Sequence, residues 1–304
     1  MSLPKVAVLL PTFNSAKFIL AQLGSIVAQE DIDVDIYIYD DGSSDNTSAL
    51  VKSIFSASNL FFIDKGGPFG SASLSFLHLF RTVDLEQYDY VSLADHDDIW
   101  SCYKISAAIR EIINSNSDAF SSSVLSVSVN KLGYNSPHLV KKHSPQRKYD
   151  YLFEGPGPGC TFVLTRKFVI SFRSFLDVIN ESIDSVRWHD WFIYYFARMN
   201  NFTWIISSHP NMLYFQWGSN DTGVNKGKSA FIQRFSWVFS GWYFEQSRFM
   251  YNIILKHSDC VEEPVDFASY RFWLLNGLSL RRSNIGSVFF CLAAIVNVLR
   301  MKLK

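Results

Sequence analysis

The first hundred residues alternate two patterns of hydrophobic and polar positions. Val6 to Leu10 is an unbroken apolar run closed by Pro11, as expected of a strand buried on both faces. Phe18, Ile19, Gln22, Leu23, Ile26 and Val27 then recur at helical spacing, with Asn14 or Ser15 placed to cap the helix. Val34 to Tyr39 reads as a second strand, Asp41-Gly42-Ser43-Ser44 as a turn, and 46–55 as a helix capped by Ser44 or Asp45. A third strand is expected over Leu60–Ile63, a turn at Gly66-Gly67-Pro68, and a helix over Leu74–Phe80. Tyr90 to Ala94 forms a fourth strand that stops abruptly at Asp95-His96-Asp97-Asp98. Strand and helix alternating in this way predict an α/β fold, a mostly parallel sheet with helices on both faces.

Beyond residue 115 the alternation breaks. Gly155-Pro-Gly-Pro-Gly159 must be an irregular loop, and a short strand follows at Thr161–Leu164. Trp188-His189-Asp190-Trp191 opens an apolar helical segment reaching Met199, and 203–206 and 212–215 read as short strands. From about Phe231 the chain is helical and aromatic. Ile285 to Leu299 is mostly apolar and ends in Arg300, Lys302 and Lys304. Fifteen residues at the helical rise span only about 22 Å, short of a bilayer core. An interfacial helix on a membrane and a helix packed on the domain or on a second copy of the chain both fit that segment.

Composition narrows the function. Lys plus Arg and Asp plus Glu are 28 each, so the chain lacks the basic excess of a nucleic-acid binder. Charged residues are only 18% and hydrophobic ones 48%, which excludes a disordered chain. Aromatics at 16% exceed the needs of a core, and point to a sugar, lipid or membrane surface. The 304 residues allow one large α/β domain with an appendage, or two small domains. The four cysteines are scattered with no C-x-x-C pair, which fits a reducing compartment and disfavours a zinc site or disulfide framework. No signal peptide is recognised at the start, so a cytoplasmic protein is expected. The basic stretch 131–148, with Lys131, Lys141, Lys142, Arg147 and Lys148 and no acid, suits either acceptor phosphates or open solvent.

The chemistry gathers where strands end. Asp40-Asp41 follows the second strand and Asp95 to Asp98 the fourth, and ligands bind beyond the carboxyl ends of strands in open parallel sheets. Carboxylates crowded there repel one another unless a cation or a hydrogen-bond donor compensates them. Hard oxygen ligands suit Mg²⁺ or Mn²⁺. Strand-ending and helix-capping acids are the plainer alternative for Asp40-Asp41.

Pro11-Thr12-Phe13-Asn14, then Asp40 to Asp45, then Asp95-His96-Asp97-Asp98-Ile99-Trp100 together resemble the ordered signatures of a family-two inverting glycosyltransferase with the GT-A fold. Gly159-Cys160-Thr161, His189-Asp190-Trp191 and 214–220 resemble the acceptor-side motifs of its rhamnosyltransferase-like branch, so the likeness covers about residues 4–225. It implies a GT-A domain over 1–225, with 1–115 the nucleotide-sugar half and 116–225 the acceptor half, and a helical region over 226–304.

The same resemblance implies roles. Asp41 would accept from the imide N–H of a uracil or thymine, Pro11 and Phe13 would line the base pocket, and Thr12 and Asn14 would join them in binding the nucleotide-sugar. Asp95 and His96 would meet the donor, and Asp97 with Asp95 would hold Mn²⁺ or Mg²⁺ on the diphosphate. Asp98 would act through water or cap the next helix. Asp190 would be the general base, although an Asp capping a helix from Trp191 is the plain alternative. Gly159, Cys160, Thr161, Trp188, His189, Trp191, Gln216 and Trp217 would serve the acceptor or the sugar. Phe215 and Trp217 stand where the family usually carries Arg and His, with Gln216, Asn220, Lys226 and Lys228 as candidates to compensate.

The implied activity is transfer of a sugar, best L-rhamnose from dTDP-L-rhamnose, to a lipid-linked glycan in O-antigen-type polysaccharide synthesis. The expected place is the inner face of a bacterial plasma membrane. A UDP-hexose transferase of the same fold, or a metal-dependent phosphohydrolase built on Asp95–Asp98, are the alternatives. A nicotinamide dehydrogenase is disfavoured, because no G-x-G-x-x-G follows the first strand.

Overall fold

A computed structural model describes residues 2–54, 59–64, 66–130, 133–179, 183–217, 236–257 and 264–302. Its first half runs β1 (Lys5–Thr12), α1 (Ile19–Val27), β2 (Asp33–Asp40), α2 (Thr47–Ile54), β3 (Leu60–Phe62), α3 (Ala72–Thr82) and β4 (Tyr90–Leu93). Then come β5 (Ile99–Trp100), α4 (Lys104–Ser115), β6 (Ala119–Ser122), β7 (Val124–Asn130), β8 (Gly133–Tyr134) and β9 (His138–Val140). The series continues with β10 (Val163–Thr165), α5 (Arg166–Val178), α6 (His189–Met199), β11 (Trp204–Ser207) and β12 (Met212–Gln216). Further helices cover Trp242–His257, Tyr270–Asn276 and Asn284–Lys302.

The chain forms two compact units. The first is drawn from Met1–His143, Gly157–Asp190 and Phe202–Asp221, the second from Ser144–Pro156, Trp191–Asn201 and Thr222–Lys304. A single cut at residue 225 therefore does not separate them, because two earlier segments join the C-terminal helices.

The first unit is built on a seven-stranded sheet in the order β11-β6-β10-β4-β1-β2-β3. β1 pairs in parallel with β2 and β4, and β2 with β3. β10 runs antiparallel between β4 and β6. Val6 to Leu10 are wholly buried, as the unbroken apolar run predicts. α3 and α5 meet through Phe80 and Phe172, ring centroids 5.3 Å apart. A second, five-stranded sheet runs β5-β12-β7-β8, with β9 paired to β7. The register sets Thr12 beside Asp40 and Leu9 beside Leu93, so the carboxyl ends of β1, β2 and β4 open on one edge.

Two local expectations are corrected. Neither Asn14 nor Ser15 caps α1: its N-cap is Phe18, which makes no side-chain cap bond. Ser15 instead closes a turn, its carbonyl accepting from the N–H groups of Phe18 and Ile19. The strand expected at Thr161–Leu164 begins at Val163, because Gly159–Thr161 is a 3-10 turn that the Thr161 hydroxyl closes onto the Pro158 carbonyl at 2.7 Å.

The second unit packs Phe244, Phe267 and Trp273 as an aromatic core, with centroids 5.5–5.6 Å apart. Beside it Asp150 is fully buried, and it accepts from Arg198 at 2.6 Å and from the Tyr194 hydroxyl at 3.0 Å. A buried carboxylate persists only with such partners. Among the described residues no helix is long and apolar enough to cross a membrane.

Candidate active site

The edge where β1, β2 and β4 end carries the first part of the site. Asn14 takes a left-handed conformation, φ 46°, so its backbone N–H reaches the Ser43 hydroxyl and its side-chain oxygen accepts from Ser44 N–H, both at 2.8 Å. Thr12 is buried and donates to Asp40 at 3.1 Å. Pro11 is buried, whereas Phe13 is 53% exposed beside them. Asp41 is buried, and its Oδ1 accepts from the backbone N–H of Phe69 at 2.5 Å and from the Tyr39 hydroxyl at 3.4 Å. Burial and the Asp41 charge push Tyr39 up to about 12. Gly67, at φ +49°, is what lets this loop approach: a Cβ there would overlap the Tyr39 hydroxyl.

The second part is acidic. Asp95 and His96 are half-buried, and the His96 ring donates to the Pro11 carbonyl, joining the ends of β4 and β1. Burial lowers the basicity of His96. One ligand atom each from Asp95, Asp98 and Cys160 lie within 4.8 Å of one another. Asp97, expected as a metal ligand, is half-buried and outside that group, though its charge acts on Asp95. Burial first, then the Asp97 charge, pushes Asp95 up to about 7.

Asp98 is 1% exposed. Its Oδ1 accepts from Phe215 N–H at 3.2 Å, which ties β12 to the acidic loop, and the Cys160 thiol is a second hydrogen-bond partner of the carboxylate. It is therefore neither a helix cap nor a solvent-facing group. Lys104, at 4% exposure, lies under this cluster, with Nζ 3.5 Å from the Ser92 hydroxyl and 3.6 Å from the Trp100 ring centre. Burial pushes Lys104 down to about 7, and Cys160, Asp98 and Asp95 act against that shift. The Cys160 thiol is raised well above its ordinary value by burial and the neighbouring carboxylates, so it is protonated and not a nucleophile.

The third part lies at the start of α6. The helix begins at His189, so Asp190 is in its first turn rather than at a cap before Trp191. Asp190 is half-buried and its charge acts on Asp95, which places both carboxylates in one site. His189 packs against Phe76 at 4.2 Å, its Nε2 buried without a partner. Burial pushes it down to about 3, which favours the neutral ring. A Cβ at Gly159 would run into His189 Nε2, which explains the glycine.

Trp188 is half-buried. Trp191 is only 5% exposed and donates its indole N–H to the Tyr151 carbonyl at 2.7 Å within the second unit, so it offers no face to a sugar. Thr161 is buried and spent on Pro158 and on Ser122 N–H. Gln216 is buried, with Nε2 donating to the Phe215 carbonyl at 3.2 Å. Trp217 stacks on Phe215 at 5.5 Å and on Phe18 at 4.2 Å, with Lys17 Nζ 5.3 Å from its ring centre. An aromatic stack thus stands where an Arg and a His were expected. Asn220, Lys226, Lys228 and Lys131 lie outside the described residues.

Sequence reasoning missed Lys104, the Phe69 N–H on Asp41, and the Phe18–Trp217 stack. Only Lys104 left a signal: it shares with Ile105, Ala108, Ile109 and Ile112 the buried face of α4, an odd place for a lysine.

A divalent ion fits the acidic edge unevenly. Asp95 and Asp97 offer half-buried oxygens near Asp190, the hard donors that Mg²⁺ or Mn²⁺ prefer. Cys160 is a buried neutral thiol and a poor ligand for such an ion.

Residues 7–179 match the model of glycosyl transferase family 2. Over 292 residues the chain is 33% identical to the dTDP-rhamnosyl transferase RfbG of Shigella flexneri, covering 94% of this chain and 99% of that one. Among solved structures, S. aureus TarS superposes with a TM-score of 0.56 at 15% identity, over 91% of this chain and 43% of TarS. A shorter TarS crystal structure in complex with UDP-GlcNAc gives 0.55 at 16% identity, over 91% of this chain and 72% of that one. At that identity the likeness is one of fold. The chain belongs to glycosyl transferase family 2, and it is a glycosyltransferase of rhamnosyltransferase-like sequence with the GT-A fold.

Proposed function

We propose that the protein transfers L-rhamnose from dTDP-L-rhamnose, with inversion, to a hydroxyl of a lipid-linked glycan. The donor assignment rests on the match to the dTDP-rhamnosyl transferase along nearly the whole of both chains. The observation that carries the reaction is the set of carboxylates at one edge of the sheet, Asp41 just past the end of β2 and Asp95 past the end of β4, with the charge of Asp190 acting on Asp95.

In this reading the half 1–115 takes the donor and 116–225 the acceptor. Asp41 receives the imide N–H of the thymine, a donor that a carboxylate suits and the ring nitrogen of cytosine does not supply. Pro11, Phe13 and Asn14 surround the base. The acceptor oxygen attacks the anomeric carbon opposite the diphosphate. The new C–O bond forms as the bond to the phosphate oxygen breaks, and the electron pair leaves with dTDP. Asp190 takes the hydroxyl proton, and its charge favours the oxocarbenium-like transition state. Asp95 and Asp97 would hold a divalent ion that neutralises charge growing on the departing diphosphate.

The test is calorimetric titration of dTDP, UDP and GDP, each with Mn²⁺ and with EDTA, into wild type and Asp97→Ala. Tight, metal-dependent dTDP binding that weakens in the variant supports the assignment. A preference for UDP keeps the transferase and replaces rhamnose by another hexose, and binding of no nucleotide overturns the site.

The C-terminal helices serve, in the same reading, as a peripheral membrane contact in O-antigen-type synthesis at the cytoplasmic face. The helix Asn284–Lys302 exposes Ile285, Val288, Leu292 and Leu299, and Arg300 and Lys302 follow at its end.

A further inference from the structure

The last two helices of the second unit expose apolar surface that the long helix alone does not account for. The helix Tyr270–Asn276 and the turn after it present Leu274, Leu275 and Leu278 to solvent, Leu275 at 84% exposure. Ile285 and Val288 are exposed in the first turns of the helix Asn284–Lys302. The two helices meet at Gly277 and Cys291: the thiol donates to the Trp273 carbonyl at 3.2 Å, and a Cβ at Gly277 would overlap its sulfur. Leu278 and Leu292 each follow that contact by one residue, and both are exposed. Aliphatic side chains gathered so on one helical hairpin mark a surface made for contact.

Charge selects the partner. After Asp266 the chain carries no acid and six basic residues. Arg281 and Arg282 pair with Glu154, at 3.6 and 3.1 Å. Arg147 does not pair: its guanidinium donates to the Leu278 carbonyl, to Asn284 Oδ1 at 2.6 Å and to the Ser287 hydroxyl at 3.4 Å, all neutral, and makes no ion pair among the described residues. A guanidinium without a counter-ion therefore stands at the base of the exposed leucines. Phosphates outside and hydrocarbon within are what an anionic bilayer offers. A second copy of the chain would set the same acid-free stretch against itself.

We propose that this hairpin tip, residues 274–288, inserts its aliphatic side chains into an anionic phospholipid bilayer while Arg147 binds lipid phosphate. The inference rests on the membrane contact proposed above, and extends it from one long helix to a defined tip with its own headgroup ligand. The tip also holds the segment 147–155. Tyr149 N–H donates to the Ser279 carbonyl at 3.2 Å, and the Arg282 guanidinium to the Gly155 carbonyl at 2.7 Å. That segment runs directly into the loop Gly155–Gly159, so docking brings the approach to the acceptor side of the chain to the surface where a lipid-linked hydroxyl arrives.

The test is sedimentation of the full chain with vesicles of phosphatidylcholine and of its equal mixture with phosphatidylglycerol, each variant first checked for a wild-type thermal transition. Leu275→Asp with Leu278→Asp lowers binding to the mixed vesicles at least about tenfold. Arg147→Gln lowers it about fivefold, and Arg147→Lys, which keeps the charge but not the fork of donors, restores most of it. Wild type on mixed vesicles gains amide-exchange protection at 274–288 and at 147–155. A leucine pair variant that binds as wild type does, while Ile285→Asp with Leu292→Asp abolishes binding, keeps the membrane contact and overturns the tip. An Arg147→Lys protein as weak as Arg147→Gln overturns the headgroup role. Wild type that binds neither vesicle overturns the membrane contact itself, and this inference with it.

Discussion

Asp190 stands in the first turn of α6, and its charge acts on Asp95. Asp190→Asn keeps the shape and removes the base, so kcat falls by about 10²–10⁴ while dTDP affinity stays within about twofold, measured by steady-state turnover and calorimetry. Gly159→Ala pushes against His189 Nε2 and costs about 1–3 kcal/mol in denaturant unfolding. His189 supplies one part of the pH dependence of stability. Its folded value, about 3, lies below the ordinary 6.5, so the contribution is complete above 6.5 and is lost as pH falls toward 3, where the unfolded chain gains a proton the native ring refuses. The raised Asp95 carboxyl acts in the opposite sense over the same window, so the His189 share is read as a difference: wild type loses thermal stability relative to His189→Phe as pH falls from 6.5 toward 3. The residues that sequence shows best are Asp41 and Asp95, polar breaks just past strand ends, and Asp190, the acid at the start of an apolar helix. Phe18 stayed hidden because its partner Trp217 lies far along the chain, and Lys104 showed only as an odd lysine on a buried helix face, its seat between Ser92 and Trp100 being set by the fold of the intervening loop.

At the scale of elements, strands are legible and their edges less so. The run Val6–Leu10 marks β1, yet pairing with β2 carries the strand on through Pro11 to Thr12, beyond what local pattern indicates. β5 left no signal, since two residues gain strand character only by pairing with β12. The start of β10 was misplaced because a Thr161 hydroxyl bond converts the preceding residues into a turn. The helix Asn284–Lys302 shows an apolar stripe on the side away from its own core, with Ile285 87% exposed. Ile285→Asp with Leu292→Asp is expected to lower sedimentation with anionic phosphatidylglycerol vesicles at least tenfold, leaving binding to dTDP unchanged. Wild type that ignores vesicles but dimerises in sedimentation equilibrium assigns the stripe to a second copy.

For the molecule as a whole, the alternation of strand and helix over the first hundred residues foretold the parallel sheet, and the acids at its carboxyl edge foretold the site. The partition of the chain was not legible in the same way. Residues 144–156 and 191–201 belong with the C-terminal helices through contacts such as Arg198 to Asp150 and Arg282 to Glu154, which sequence distance conceals. The donor was legible only as chemistry, a carboxylate for an imide N–H and acids for a metal, and the match to a dTDP-rhamnosyl transferase sharpens it. The most direct measurement is turnover of dTDP-L-rhamnose against UDP-glucose and UDP-galactose, with Mn²⁺ and a lipid-linked glycan acceptor, following the anomeric configuration of the product by NMR. The account predicts an inverted rhamnoside from dTDP-L-rhamnose alone, abolished by Asp190→Asn. A retained anomer, or transfer from a UDP-hexose in its place, contradicts it.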